Sequence, residues 1–209
     1  MVVNIYGKNK SGKTTLANIL EREYGFVKLE FAKAMREVIK IYFDVDTSWK
    51  VDSNWNLYSD DTYINGMNKF FLDVGNDFSL KALFFDRVRI ATTKYECYRI
   101  TLELIGTEVF RNLISKDIWV SILIFNTIKC LGKGNNVVID DLRFDNEYFA
   151  LSNLNSIFIK MESPFMEGNN GHESQKYIDS FVYDYFINND GTKEDLLEKF
   201  NEFNIKGLC

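Results

Sequence analysis

Gly7, Gly12, Lys13 and Thr14 stand in the spacing G-x-x-x-x-G-K-[ST] within VVNIYGKNKSGKTTLANIL. Residue types in that order suit a chain of phosphates. Backbone N–H groups of the turn from Gly7 through Ser11 and Gly12 to Thr15 would cradle the oxygens at a helix start, where unsatisfied donors and the helix dipole favour negative charge. Lys13 would reach the outer phosphates while the Thr14 hydroxyl ligates magnesium, two tasks that need different adjacent side chains. Lys8 and Lys10 stay open between solvated loop charges and further phosphate contacts. The loop does not name an acceptor, because ATPases, GTPases and small-molecule kinases all use it.

Other candidates lie further along. VVIDDLRF puts Asp140, Asp141 and Arg143 just past an apolar run. Adjacent acids on a strand point to opposite faces, so one of them faces the phosphates, where it positions magnesium or its water, unless both cap the following turn. Arg143 either neutralises phosphate charge or pairs with Glu147 at the start of the next helix. Arg99, Glu103, Thr107 and Arg111 recur every four residues as a polar stripe, with Leu102, Ile105, Val109 and Leu113 as packing positions. Two arginines on one stripe suit a monophosphate, since each guanidinium offers fixed paired donors. An Arg99–Glu103 surface pair with an exposed Arg111 is the plainer alternative. His172, the single histidine, reads as structural or surface, and Met161 and Met166 as core or lid packing.

Elements must position these groups. Val2 to Tyr6 reads as a strand, and Leu16, Ala17, Ile19 and Leu20 repeat at helical spacing behind the loop. VKLEF is a second strand, and AKAMREVIKIYF a helix with Met35, Val38, Ile39 and Tyr42 on one face. Between Asp44 and Asp77 no clean period emerges, which fits an acceptor-side insertion or a loop excursion equally. The stretch from Tyr98 to Leu131 is helical with a break at 115–117. GNNVVIDD and NSIFIKM supply core strands, and Thr192 caps a last helix, KEDLLEKF, with Asp195 as the acid of a capping box. Strand–helix alternation behind a phosphate loop predicts an α/β three-layer domain with a mostly parallel sheet, its ligands at the carboxyl ends of the strands.

Composition narrows the classes. The 209 residues are 46% hydrophobic and 26% charged with one proline, enough for a substantial core in one main domain. A net charge of −5 argues against polymeric nucleic acid as partner. Cys97, Cys130 and Cys209 are widely spaced and odd in number, which suits reduced thiols in a cytoplasm better than disulfides or structural zinc. The first strand runs straight into the loop, unlike a signal peptide, and no stretch nears the roughly 20 apolar residues of a membrane span.

Taken in order, GKNKSGKTTLA, KLEFAKAMREVI, ITLELIGTEVFRNLISKDIWV, VVIDDLRFDNE and GHESQ resemble the phage deoxynucleoside monophosphate kinase family. The IGTEVFR…IWV block followed by DLRFDNE is the specific part. The resemblance covers Ile5 to about Leu197 and is poor from Asp44 to Glu96. It implies a P-loop kinase fold related to adenylate kinase, as one domain over 1–209 with a helical acceptor-binding region, an acceptor-side insertion around 44–96 and a small lid around 162–176. It implies transfer of the terminal phosphate of ATP, with Mg2+, to a deoxynucleoside monophosphate, in the cytoplasm (the host's, if phage-encoded), by a monomer or homodimer. Lys13 and Thr14 become donor-phosphate and magnesium residues, and Asp141 and Arg143 match the family's aspartate-x-arginine element, which favours Asp141 over Asp140. Arg36, where the family usually has lysine, and Glu108 and Arg111 become acceptor groups beside Arg99 and Glu103. Glu103 replaces a common glutamine. Met161 and Glu162 stand where a lid arginine is usual, with Arg143 and Lys160 to compensate. Animal-type phosphomevalonate kinases share the loop and the aspartate-x-arginine pattern but fit the IGTEVFR block less well. A nucleotide-binding protein that has lost efficient transfer is the non-enzyme alternative.

Overall fold

The computed structural model describes residues 1–43, 61–75, 77–165 and 177–205. The contacts divide the chain into two compact units, Met1–Phe31 with Val120–Cys209, and Ala32–Trp119.

The first unit is built on five strands: β1 (Val2–Tyr6), β2 (Val27–Leu29), β3 (Val137–Ile139), β4 (Ser156–Glu162) and β5 (Tyr185–Asn188). All four pairings are parallel, in the order β2-β3-β1-β4-β5, with β1 central. Side chains of a strand alternate between faces, and here each face meets its own helices. Val3 and Ile5 pack with Leu16 and Ile19 of α1 (Lys13–Tyr24) and with Leu196 and Phe200 of α8 (Lys193–Asn201). Val2 and Tyr6 pack with Val120 and Leu123 of α6 (Ile118–Leu131) and Leu151 of α7 (Asp145–Ser152). Helices on both faces of a parallel sheet make the expected three layers. Thr192 caps α8 as the sequence predicts: its Oγ1 accepts from the Asp195 N–H at 3.2 Å, and Asp195 Oδ2 accepts from the Thr192 N–H at 2.7 Å.

The second unit is helical: α2 (Ala32–Phe43), α3 (Asp61–Asp73), α4 (Phe78–Val88), α5 (Lys94–Glu103) and a π-helix, Leu104–Ile114. Its core gathers Phe43, Tyr63, Phe70, Phe71, Phe84 and Ile105. α3 corrects the expectation of no period between Asp44 and Asp77, since Tyr63, Gly66, Met67, Phe70 and Phe71 form one buried helical face. Leu113, expected to pack, is exposed. Winding explains it: with i→i+5 bonding a turn takes more than four residues, so positions four apart drift backwards round the axis instead of forwards. Residues 44–60 and 76 of the expected insertion, 166–176 of the expected lid, and with them Met166, His172 and Cys209, lie outside the described residues. Among the described residues no helix is long and apolar enough to cross a membrane.

Candidate active site at the phosphate loop

β1 ends at Tyr6 and α1 begins at Lys13, so residues 7–12 turn at the carboxyl end of the central strand. Gly7 and Gly12 have φ of 150° and 93°, where side chains are strained. Neither has room for one: a Cβ on Gly7 would lie 2.1 Å from the Met161 carbonyl oxygen, and on Gly12 2.2 Å from Asn189 Nδ2. The loop is thereby pressed against the ends of β4 and β5. Asn189 fixes it there, donating its side-chain N–H to the Ser11 carbonyl at 3.2 Å and its backbone N–H to the Glu162 carbonyl at 2.7 Å.

Lys13 turns back over the loop. Its ammonium donates to the Lys8 carbonyl at 2.7 Å and lies 3.4 Å from Ser11 Oγ. Its pKa is lowered from 10.5 to about 8, mainly by burial and in part by the Arg143 charge, with Asp140 acting the other way. A half-buried ammonium facing a guanidinium favours an anionic ligand, since an anion restores the stability of the charged form. The cleft in front of it is lined by Gly7, Lys8, Asn9, Lys13, Asp141, Leu142, Arg143 and Ile178.

The two adjacent aspartates part company after β3. Asp140 is buried with Oδ2 3.0 Å from Lys28 Nζ, which also donates to Asn18 Oδ1 at 3.2 Å. Asp140 Oδ1 is buried without a hydrogen-bond partner among the described residues. Asp141 instead borders the cleft, where its Oδ1 accepts from the Phe31 N–H at 3.0 Å. Glu147 is buried and accepts from the backbone N–H groups of Arg143 and Phe144 at 2.8 and 3.1 Å, closing the first turn of α7, while Arg143 lines the cleft.

These residues fit a polyphosphate and its magnesium ion. Among the described residues no three His, Cys, Asp or Glu side chains gather to hold a metal by themselves. Magnesium does not require that, because it keeps waters and takes one or two carboxylates plus substrate phosphates. Thr14, exposed in the first turn of α1, and Asp141 are the groups that would hold it.

The groups expected at an acceptor lie in the second unit. Arg36 is half-buried on α2; Arg99 is exposed and Glu103 half-buried on α5. Glu108 and Arg111 are half-buried on the π-helix, with Glu108 accepting from Asn112 Nδ2 at 3.0 Å. Residues twelve apart sit about 120° apart on a continuous α-helix. The backward drift of the π-turns opposes that rotation, which favours the line from Arg99 to Arg111. Trp119 supports this segment, its indole N–H donating to the Gly106 carbonyl at 3.0 Å.

Sequence reasoning did not single out Asn189, Lys28 or Asp179. Their roles depend on pairings across the sheet, and no local pattern marks them.

A family model described as deoxynucleotide monophosphate kinase matches residues 72–200, more than half of the chain. The chain belongs to that family. It is therefore a phosphotransferase of the nucleotide kinase type. None of the curated proteins matches it in sequence. Among solved structures, this kinase is similar to the Thermus thermophilus protein TT1252, with a TM-score of 0.52 and 17% identity over 100% of this chain and 98% of the other. An unliganded sugar kinase from Janibacter gives 0.46 at 14% identity, covering 98% and 95%. A dephospho-CoA kinase from Campylobacter jejuni gives 0.45 at 14%, covering 98% of each chain. At 17% identity the Thermus protein speaks to the fold alone; the parallel strand order of this chain and the loop between β1 and α1 are those of a P-loop kinase fold.

Proposed function

We propose that this kinase phosphorylates deoxynucleoside monophosphates at the expense of ATP, with magnesium, by direct in-line transfer. The observation that carries the reading is the Lys13 ammonium, half-buried in the loop and facing Arg143 across a cleft. A half-buried ammonium and an exposed guanidinium along one cleft suit a transferred group whose charge must be offset in the transition state. Family membership supports this acceptor class.

Lys13 and Arg143 would hold the donor phosphates and offset charge on the group in flight. Backbone N–H groups of residues 7–15 would fix the phosphate chain, held in place by Asn189. Asp141 and Thr14 would orient the magnesium ion, which when bound draws phosphate oxygens together and neutralises part of their charge. Arg36, Arg99, Glu103, Glu108 and Arg111 are proposed to bind the monophosphate, with arginine forks on its phosphate and carboxylates on its hydroxyl and base groups. An acceptor oxygen forms the new bond to phosphorus as the bond to the bridging oxygen breaks, so ADP leaves and no covalent protein intermediate arises. The protein acts in the cytoplasm, as a monomer or homodimer, without nucleic-acid or membrane partners.

An ADP-release assay across the deoxynucleoside monophosphates tests this. Acceptor-dependent turnover with at least one of them is expected. ATP binding without any such turnover would overturn transfer and favour a protein that only binds nucleotide; turnover with phosphomevalonate alone would overturn the acceptor class.

A further inference from the structure

Lys8, which lines the cleft, and Lys160, on the strand beside the loop, share one carboxylate, that of Asp179. Lys8 Nζ lies 3.3 Å from Asp179 Oδ2, and Lys160 Nζ lies 3.6 Å from Asp179 Oδ1. Each carboxylate oxygen thus faces one ammonium, the arrangement that two oxygens of a phosphate group would offer. Lys8 belongs to the phosphate loop and lines the cleft, and so does Ile178, the residue before Asp179. Lys160 stands on β4 in register with Tyr6, the last residue before Gly7, so the loop begins beside it.

The burial of the three groups differs in a telling direction. The lysine side chains are 29% and 16% exposed, the Asp179 side chain 59%. An ion pair with one so exposed member is screened and weak. The cations are fixed by the sheet and the loop, whereas the anion sits at the water-facing rim on a single turn, Ile178–Ser180. Glu162, with Oε1 3.3 Å from Lys160 Nζ, leaves Lys160 a second counter-ion when Asp179 moves away.

We propose that Lys8 and Lys160 form a second cationic clamp for the donor polyphosphate, and that Asp179 is its built-in counter-ion, displaced when the polyphosphate enters. The clamp is distinct from Lys13 and Arg143, and it rests on the reading that the loop binds ATP. Asp179 keeps two close ammonium groups from repelling each other in the free protein. It also competes with the ligand, so affinity for the donor is set below what the lysines alone would give.

Equilibrium titration with ATP, read directly as binding and paired with melting curves, tests the idea in Asp179→Asn, Lys160→Met, Lys8→Met and the double variant Lys160→Met with Asp179→Asn. Asp179→Asn is expected to tighten ATP binding about 2- to 10-fold, since two screened pairs no longer compete. Lys160→Met and Lys8→Met should each weaken it about 5-fold or more. Removing Lys160 should cost more in the Asp179→Asn background than in the wild type, because the lysine no longer shares its charge. Unchanged or weaker binding by a normally melting Asp179→Asn protein overturns the proposal, as do lysine variants within about twofold of wild type, and either result leaves the ATP reading standing. A wild-type protein that does not bind ATP overturns both.

Discussion

The Lys13 ammonium donates to the Lys8 carbonyl at 2.7 Å, so the loop holds in its own backbone the side chain that is to act on its ligand. Burial leaves that ammonium with a pKa lowered to about 8, and Arg143 pushes in the same direction.

A pH dependence follows, with two opposite signs. Between about 8 and 10.5 the unfolded chain binds more protons at Lys13 than the folded one, so this group makes stability rise with pH across that window. An anion prefers the charged lysine, so ATP affinity should fall as pH rises through about 8, by at most roughly tenfold per pH unit. In Lys13→Met both slopes should vanish, and transfer should drop by about 100-fold or more. Binding isotherms and melting curves collected on either side of pH 8 for both proteins check it; a parallel fall in the variant would mean another group titrates.

Asp141 carries two duties that substitutions can separate. Asn keeps an oxygen to accept the Phe31 N–H but removes the charge, so Asp141→Asn should melt like the wild type and need more magnesium for half-maximal rate. Asp141→Ala should in addition lose about 0.5 to 1.5 kcal/mol of stability with that hydrogen bond. Magnesium titrations of Asp141→Asn that superimpose on the wild type would sink its metal-positioning role.

How much of this was readable in advance depends on distance along the chain. The phosphate loop, the capping box of Thr192 and Asp195, and the divergence of Asp140 from Asp141 are set within a few residues by spacing and pleat. The π-winding of Leu104–Ile114 was not legible, because i, i+4 patterns look alike in either winding, and Leu113 was misplaced for that reason. The face of α3 was present in the spacing of Tyr63, Met67 and Phe70 but lay among polar residues that masked it. Asn189 reaches Ser11 across 178 positions, and Asp179 reaches Lys8 over a similar span; only the sheet order makes them neighbours.

Gly7→Ala tests the loop's fit against β4. The new methyl would meet the Met161 carbonyl oxygen 2.1 Å away, a backbone atom that cannot swing aside, at a φ of 150°. Overpacking and backbone strain together should cost about 2 to 4 kcal/mol, read as a lowered urea midpoint, with ATP binding lost beforehand. A variant of wild-type stability and affinity would show that the loop is looser than this packing requires.

Arg111 separates an acceptor role from a merely structural one. It is half-buried on the π-helix, on the stripe with Arg99, Glu103 and Thr107, within the part of the chain that matches the family. Arg111→Lys keeps the charge but loses the planar fork, so it should impair use of the monophosphate more than ATP affinity, and Arg111→Ala should be worse. Loss of one charge-assisted contact of about 1.5 to 3 kcal/mol corresponds to about a 10-fold to 150-fold drop in kcat/KM for the acceptor. An arginine that only braces its helix would leave that ratio unchanged and move the melting temperature instead. Initial rates against varied monophosphate at saturating ATP, with melting curves for all three proteins, distinguish the two, and a fall of less than about twofold in Arg111→Ala removes the residue from the site.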